Sequence, residues 1–337
     1  MDQLFIIKMK VLITGGSGFI GSNFVNMVLQ KGHEVVNLDK ITYAAKGKNL
    51  EHRGIFPNEN YHFYKGDTCD SKLVEKIFEK EKPEIVFDLA AQSHVDRSIE
   101  NPLVSIKTDA LGAATVFTTA LKYKIPRIVH VSTDEVYGSI KEGEFDEKAP
   151  LNPSSPYSSS KSAADLIALS FFKTYNLPII VTRSANNYGP YQFPNKCFLP
   201  FFITNAILGK KVPLFWSDTN PGLNKRDYLH VEDNCEAIWT VGMKGQEGEV
   251  YNIPGRNERV SIDVTRFILN ELGYGDEMIQ KTPDRKAHDS RYAITGDKIA
   301  ALGFKHKYTS DDFYPNLKKL IEWHKENRSW WEPLKEK

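Results

Sequence analysis

Six short apolar runs, KVLITG, HEVVNLD, YHFYKGD, EIVFDLAA, RIVHVST and PIIVTRS, recur through the first half of the chain, separated by amphipathic helical patterns. Such runs mark strands buried in a sheet, and the segments between them are long enough for the crossover helices that parallel strands require. The alternation predicts an α/β fold built on a doubly wound parallel sheet. Beyond Gly189 the pattern breaks into shorter pieces rich in Pro, Gly and Asn, including the polar stretch SDTNPGLNKRD from Ser217 to Asp227. That half reads as a smaller, irregular C-terminal α/β lobe. The expected division is a sheet domain over 9–188 and a second lobe over 189–337, with segments around 225–240 returning to the first.

Composition narrows the setting. With 41% hydrophobic and 26% charged residues, the chain carries enough apolar side chains for a large core, and 44 basic against 43 acidic residues give a net charge of only +1. That balance supplies no general attraction to nucleic acid or to an anionic membrane. No stretch approaches the ~18 apolar residues of a membrane span, and the opening MDQLFIIKMK reads as a short extension before the first strand. Cys69, Cys197 and Cys235 are too scattered for a disulfide framework, and no Cys/His spacing suggests a metal site. A reducing cytoplasm is the simplest home for such a chain. The tail NRSWWEPLKEK reads as a peripheral helix end whose tryptophans pack rather than bind.

Directly after the first run comes TGGSGFIG, with Gly15, Gly18 and Gly21 opening a helical pattern. Glycines at that spacing permit a tight turn, close approach of backbone N–H groups to a pyrophosphate, and close packing of helix on strand. The second run ends in Asp39, where a carboxylate can accept both hydroxyls of an adenosine ribose and repel a 2′-phosphate. Strand, loop, helix, strand and acid together predict a Rossmann site for NAD rather than NADP, with Lys40 the one neighbour that points the other way. Asp67, ending the third run, is placed either at the adenine edge or as a helix N-cap.

PYSSSK places Tyr157 and Lys161 four residues apart at the start of a helical pattern, so one helix face presents both. Tyrosine is a poor base at its free pKa of about 10, but a nearby ammonium and a nicotinamide cation would stabilise its phenolate. Thr133, at the end of RIVHVST, offers a hydroxyl to hold a substrate oxygen against Tyr157. This constellation suits removal of a proton from an alcohol while hydride leaves. Asp134 and Glu135 follow at once, where an acid pair is ordinarily a solvated turn or a helix cap. Consecutive strand residues point to opposite faces, so both acids can reach one ligand only if the strand has ended by Asp134.

The glycine motif, the Tyr/Lys pair and Thr133 resemble the extended short-chain dehydrogenase/reductase superfamily. Within it, STDEVYG, AAQSHVDRSI, TRSANNYGPYQFPNK and DRKAHDSRYAI resemble the dTDP-glucose 4,6-dehydratases, from about Lys10 to Trp323. The resemblance implies oxidation at C4 of a nucleotide-linked hexose with Tyr157 as base, removal of the C5 proton by Glu135, proton donation by Asp134 to the departing 6-hydroxyl, and return of hydride to C6. It also implies cofactor contacts from Phe19, Ile20, Thr68, Leu89, Ala90, Ala91 and Thr108, and substrate contacts from Ser93, Asp96, Asn186, Lys196, Arg226, Arg285, His288 and Tyr292. A homodimer joined by a four-helix contact follows from the same likeness, and the apolar surface of Pro102–Tyr123 and Pro156–Tyr175 fits it.

Some positions depart from the pattern. FWSDTNPGLN is longer than the turn usual there, Asp109 stands where the superfamily has asparagine, Gln92 where glutamate is frequent, and DRKAHD lacks a Pro-Gly. The first lies close to where the nucleotide base should bind, so a UDP-, GDP- or CDP-linked hexose or N-acetylhexosamine is the alternative substrate. A 4-epimerase or decarboxylase would share the C4 oxidation but has no use for an acid and a base at C5 and C6. A non-catalytic NAD-binding protein would be free to lose Tyr157 or Lys161.

Overall fold

The computed structural model of the chain describes residues 8–43, 45, 48–195, 197–284 and 289–335. Twelve strands are formed: β1 (Lys10–Thr14), β2 (Glu34–Asp39), β3 (Tyr61–Lys65), β4 (Ile85–Asp88), β5 (Ile128–Thr133), β6 (Ile179–Ser184), β7 (Asn186–Tyr188), β8 (Val212–Phe215), β9 (Lys225–His230), β10 (Val250–Ile253), β11 (Glu258–Val260) and β12 (Ile279–Thr282). Seven of them build one parallel sheet in the order β10-β6-β5-β4-β1-β2-β3. All six runs read from the sequence are in it. The seventh strand, β10, comes from the irregular half and pairs with β6 at the edge.

Alternate side chains of each strand feed two cores. Val11 and Ile13 of β1 pack with Phe24, Val25 and Val28 of the helix Phe19–Gln30 on one face, while Leu12 packs on the other with Val74, Ile77 and Phe78 of the helix Ser71–Glu81. This covering of both faces is why the runs are apolar at successive positions. The helix Val231–Lys244 also covers the first face, through Val231, Cys235, Ala237, Ile238 and Val241. The return toward the large sheet thus begins at Val231, because β9 just before it is paired with β7 and β11.

The sheet order reverses at β1, whose neighbours β2 and β4 lead outward in opposite directions. A crevice for a ligand opens at such a switch point, outside the carboxyl ends of the strands. The second lobe stands over that end. It consists of the sheet β11-β9-β7, the pair β12-β8, and a core of Tyr188, Phe202, Ile203, Leu269, Phe313 and Leu317.

The tail is not peripheral. Trp330 and Trp331 are buried, and the Trp330 indole N–H donates to Asn49 Oδ1 at 3.1 Å, while Asn49 Nδ2 donates to the Ser17 carbonyl of the glycine loop at 3.1 Å. Leu334 O accepts from Asn195 Nδ2 at 2.7 Å, so the tail ties the loop after β1 to the segment after β7. All three cysteines are unpaired. No helix among the described residues is long and apolar enough to cross a membrane.

Candidate active site

Gly15, with φ +69°, turns the chain at the end of β1, and a Cβ there would lie 2.8 Å from Ala90 Cα. The glycine lets the loop lie against the end of β4. Gly18 begins the helix Phe19–Gln30 with no capping side chain and no acid in its first turn. Phe19, Ile20 and Gly21 therefore present first-turn N–H groups that lack helical acceptors, and Gly21 has no room for a side chain against Gly15 O. This is a cradle for an anion at a positive helix end.

Asp39 ends β2, buried, and accepts from Ser17 N at 2.9 Å and Ile41 N at 2.7 Å. Burial pushes its carboxyl up, and the two N–H donors hold it back. Lys40 turns away to Asp67, Nζ to Oδ2 2.6 Å. Asp67 also accepts from Cys69 N at 3.0 Å, and the helix that follows is capped by Asp70, which accepts from Leu73 N at 3.1 Å. The capping role open to Asp67 is thus filled by Asp70. Thr68 is buried against Gly112, and Leu89 and Ala90 anchor on Thr14, their N–H groups 3.2 Å from Thr14 O and 3.1 Å from Thr14 Oγ1. Ala91 follows them, and Thr108 lies in the π-helical turn Ile106–Leu111.

β5 ends at Thr133, and Asp134–Tyr137 form a 3-10 turn. The strand stops where the sequence requires if both acids are to serve one ligand. Thr133 Oγ1 accepts from Glu135 N at 3.3 Å and donates to Asp134 Oδ1 at 3.3 Å. The helix Pro156–Tyr175 opens with a capping box between Ser155 and Ser158, with Pro156 in its first turn. This fixes Tyr157 and Lys161 one turn apart, both buried, and Tyr157 N donates to Ser98 Oγ at 3.1 Å.

Burial pushes the Asp134 carboxyl well above the usual range, and nearby Glu135 and Asp227 add to it against the pull of Arg226. Its surroundings thus favour the protonated form of the carboxyl. The Tyr157 phenol is pushed in the same direction. Burial raises it well above its ordinary value, and Glu135, Asp109 and Asp134 raise it further, against one hydrogen bond with Thr133. The Lys161 ammonium meanwhile donates to Val131 O at 2.8 Å and lies 3.4 Å from His130 Nε2.

From the second lobe, Arg226 stacks on the Tyr292 ring at 4.8 Å and donates to Asp289 O at 2.9 Å, and Tyr292 OH donates to Asp289 Oδ2 at 2.6 Å. The charge of Arg226 bears on Asp134, and that of Glu135 on Tyr292, so the two lobes meet over the acids. Asp96 lies in the first turn of the helix Val95–Glu100, close enough to act on the thiol of Cys197, and Ser93 lies exposed just before that helix. Asn186 lies on β7 beside the acids' strand end. Lys196, Arg285 and His288 lie outside the described residues.

Buried oxygens of Ser132, Asp134, Asn186, Asn187 and Gln192 have no hydrogen-bond partner among the described residues, and those of Asp134 and Asn186 are open to a ligand. Asn187 and Gln192 were not singled out from sequence; their signal was proximity to Asn186 in a polar run. Asp109, noted only as a departure, sits buried in the π-turn, where it accepts from Gln92 N at 2.7 Å and Ser160 Oγ at 2.6 Å.

The model of the family described as GDP-mannose 4,6 dehydratase matches residues 12–316. A dTDP-glucose 4,6-dehydratase of Streptomyces niveus is 42% identical over 334 residues, covering 97% of this chain and 96% of that protein. Among solved structures, the dTDP-glucose 4,6-dehydratase of Streptomyces venezuelae with NAD and TYD bound superposes with TM-score 0.91 at 40% identity, over 97% of this chain and 100% of that one. That of Bacillus anthracis in complex with NAD gives TM-score 0.88 at 43% identity, over the same 97% and 100%.

Proposed function

Because the chain belongs to the GDP-mannose 4,6-dehydratase family, within the extended short-chain dehydrogenases/reductases, we propose that it is an NAD-dependent 4,6-dehydratase of a nucleotide sugar, with dTDP-glucose as substrate. The observation that carries this reading is the turn at Asp134, which sets a buried carboxyl and a second acid where both bear on Tyr157.

The residues present fit NAD. The open helix end at Gly18 suits its diphosphate, and the buried Asp39 suits its ribose; Lys40, drawn to Asp67, offers little to a 2′-phosphate. When bound, NAD supplies the acceptor for hydride from C4 and the donor for hydride to C6, and its positive ring joins the Lys161 ammonium in favouring the Tyr157 phenolate.

Tyr157 takes the proton of the 4-hydroxyl, with Thr133 holding that oxygen. The 4-ketone acidifies C5–H, and Glu135 removes it. Asp134 gives its proton to the 6-hydroxyl, which departs as water, and after hydride reaches C6, Glu135 returns its proton to C5. The proton gained by Tyr157 balances the one lost by Asp134 over the cycle. Asn186 and Arg226, with Lys196 and Arg285 by resemblance, hold the diphosphate; Arg226 is suited to it by its planar fork. Ser93 and Asp96 attend the hexose, and Tyr292 and His288 the nucleotide. Cofactor binding falls to residues 9–188 and sugar binding mainly to 189–337. We assign the chain to the cytoplasm, in keeping with its unpaired cysteines.

A homodimer is part of the proposal. Leu103, Val104, Ile106 and Leu111, with Leu166 and Tyr175 from the neighbouring helix, are exposed. That much apolar surface on adjoining helices suits a helix-on-helix contact.

The test is incubation of the pure protein with dTDP-, UDP-, GDP- and CDP-linked hexoses, following loss of one water by mass. The expected result is water loss from dTDP-glucose in preference to the others. Preference for another base assigns the alternative substrate to the loop around Trp216. Water loss from none, with NAD confirmed in the protein, would falsify the dehydratase reading.

A further inference from the structure

We infer that His130, oriented by Asp88, is a positioning residue that fixes the ammonium of Lys161, one helical turn from Tyr157. The inference rests on the reading of Tyr157 and Lys161 as the pair that serves C4 oxidation.

Lys161 reaches the buried middle of β5, where its Nζ donates to Val131 O at 2.8 Å and lies 3.4 Å from His130 Nε2. An ammonium has only donors, so the imidazole nitrogen that faces it must be the acceptor. The proton of a neutral ring is then on Nδ1, which lies 2.8 Å from Asp88 Oδ2. Asp88 Oδ1 accepts from Thr14 Oγ1 at 2.6 Å, and Thr14 Oγ1 accepts from Ala90 N at 3.1 Å. One continuous chain of hydrogen bonds thus runs from the loop after β4 to Lys161. Every side chain in it is buried.

The other groups facing the imidazole are few. Asp165 Oδ1, which has no hydrogen-bond partner, is 3.7 Å from Nε2, beyond hydrogen-bond reach, while its other oxygen accepts from Arg183 Nε at 2.9 Å. The ring of Phe117 packs at 5.5 Å. Asp109 adds its charge to Lys161 from the far side. A second proton on His130 would set an N–H against the ammonium, and the wrong tautomer would do the same. Asp88 prevents the second by accepting from Nδ1. Packing alone asks only for an apolar side chain at this point of β5. A buried chain of Thr, Asp, His and Lys, linked end to end, gives instead a fixed place for a charge that a flexible four-carbon stem could carry elsewhere.

The test uses the NAD-loaded enzyme and reads the appearance of reduced nicotinamide on mixing with the sugar nucleotide, together with NAD content, melting temperature and KM. His130→Phe should slow that appearance by ~10–100-fold with KM within about two-fold, and His130→Gln, whose amide oxygen can still accept, should recover most of the rate. Asp88→Asn keeps the volume but donates to Nδ1, turning Nε2–H toward Lys161; it should slow the same step by at least ~10-fold. Reduction at the wild-type rate in Asp88→Asn overturns the inference, as does equal loss in the Phe and Gln variants. If His130→Phe does not fold, Asp88→Asn decides alone. Failure of the wild-type enzyme to reduce its nicotinamide with any sugar nucleotide would overturn the functional reading instead.

Discussion

Asp109→Asn should make the protein more stable at neutral pH and leave it little changed in acid. Burial pushes the Asp109 carboxyl from its ordinary 3.8 up to about 6, only partly offset by Lys161, Ser160 and Gln92 N–H. The folded protein therefore binds this proton more tightly than the unfolded chain does. Stability from that preference is fully present below the unfolded value and is lost as pH rises through the folded one. A proton held about two pH units more tightly is worth about 3 kcal/mol. Asparagine has no such proton to lose, and its amide can still accept from Gln92 N and donate to Ser160 Oγ. The variant's advantage should grow from about 1 kcal/mol near pH ~4.5 to about 3 near pH ~8, read from denaturant unfolding of both proteins at matched NAD. Removing the charge should also ease Tyr157, since Asp109 is among the carboxyls that push its phenol up. The low-pH limb of nicotinamide reduction should therefore move to lower pH in the variant. A difference in stability that stays flat across that range would show that Asp109 titrates normally and that its burial has another compensation.

Two further outcomes follow from the site and the surface. Glu135→Gln removes the base for C5 but also a charge that raises Tyr157, so bound NAD should be reduced at the wild-type rate or faster while water loss falls by ~10²–10⁴-fold. Rapid mixing followed by absorbance and mass separates these steps, and a variant that never reduces NAD sinks the division of labour between Tyr157 and Glu135. Leu103→Glu combined with Leu166→Glu, at positions 74% and 60% exposed, should convert a dimer to monomers in sedimentation without loss of helix content. A dimer that survives both charges places the interface elsewhere.

The large sheet was legible because parallel strands buried on both faces advertise themselves as apolar runs, and all six that were read are present. β10 was not, although VYNI is apolar enough. It is four residues long and lies among turns, and its pairing with β6 is settled by tertiary packing that no local pattern encodes. The tail misled for a related reason: WW beside charges looks like a helix end, and only the burial of Trp330 against Tyr191 and its bond to Asn49 reveal that it spans two lobes. The second lobe's strands of three to six residues carry too short a period to read alone.

Chemistry-bearing residues were legible where residue type and spacing both matter, as in Gly15, Gly18 and Gly21 or Tyr157 and Lys161. Their electrostatics were not, because pKa follows from burial and from neighbours distant in sequence. The expectation that an ammonium and a nicotinamide cation together stabilise the Tyr157 phenolate leaves out the carboxyls around it. In place, two carboxyls needed for elimination stand beside the phenol needed for oxidation and oppose its ionisation. The conflict is inherent in performing both steps at one sugar. An epimerase on the same sheet has no need of the acids and escapes it. Burial eases it by pushing the Asp134 carboxyl up, which favours its neutral form and lessens the charge the two acids set against Tyr157. The proton that Asp134 later gives to the 6-hydroxyl is thus the same proton that spares Tyr157 at the outset. An Asp134→Asn variant, neutral at every pH, should accordingly oxidise C4 as readily as the native enzyme and fail only when the hydroxyl must leave. Slower nicotinamide reduction in that variant, with NAD content unchanged, would mean that Asp134 is ionised during the first step and that its burial serves something else.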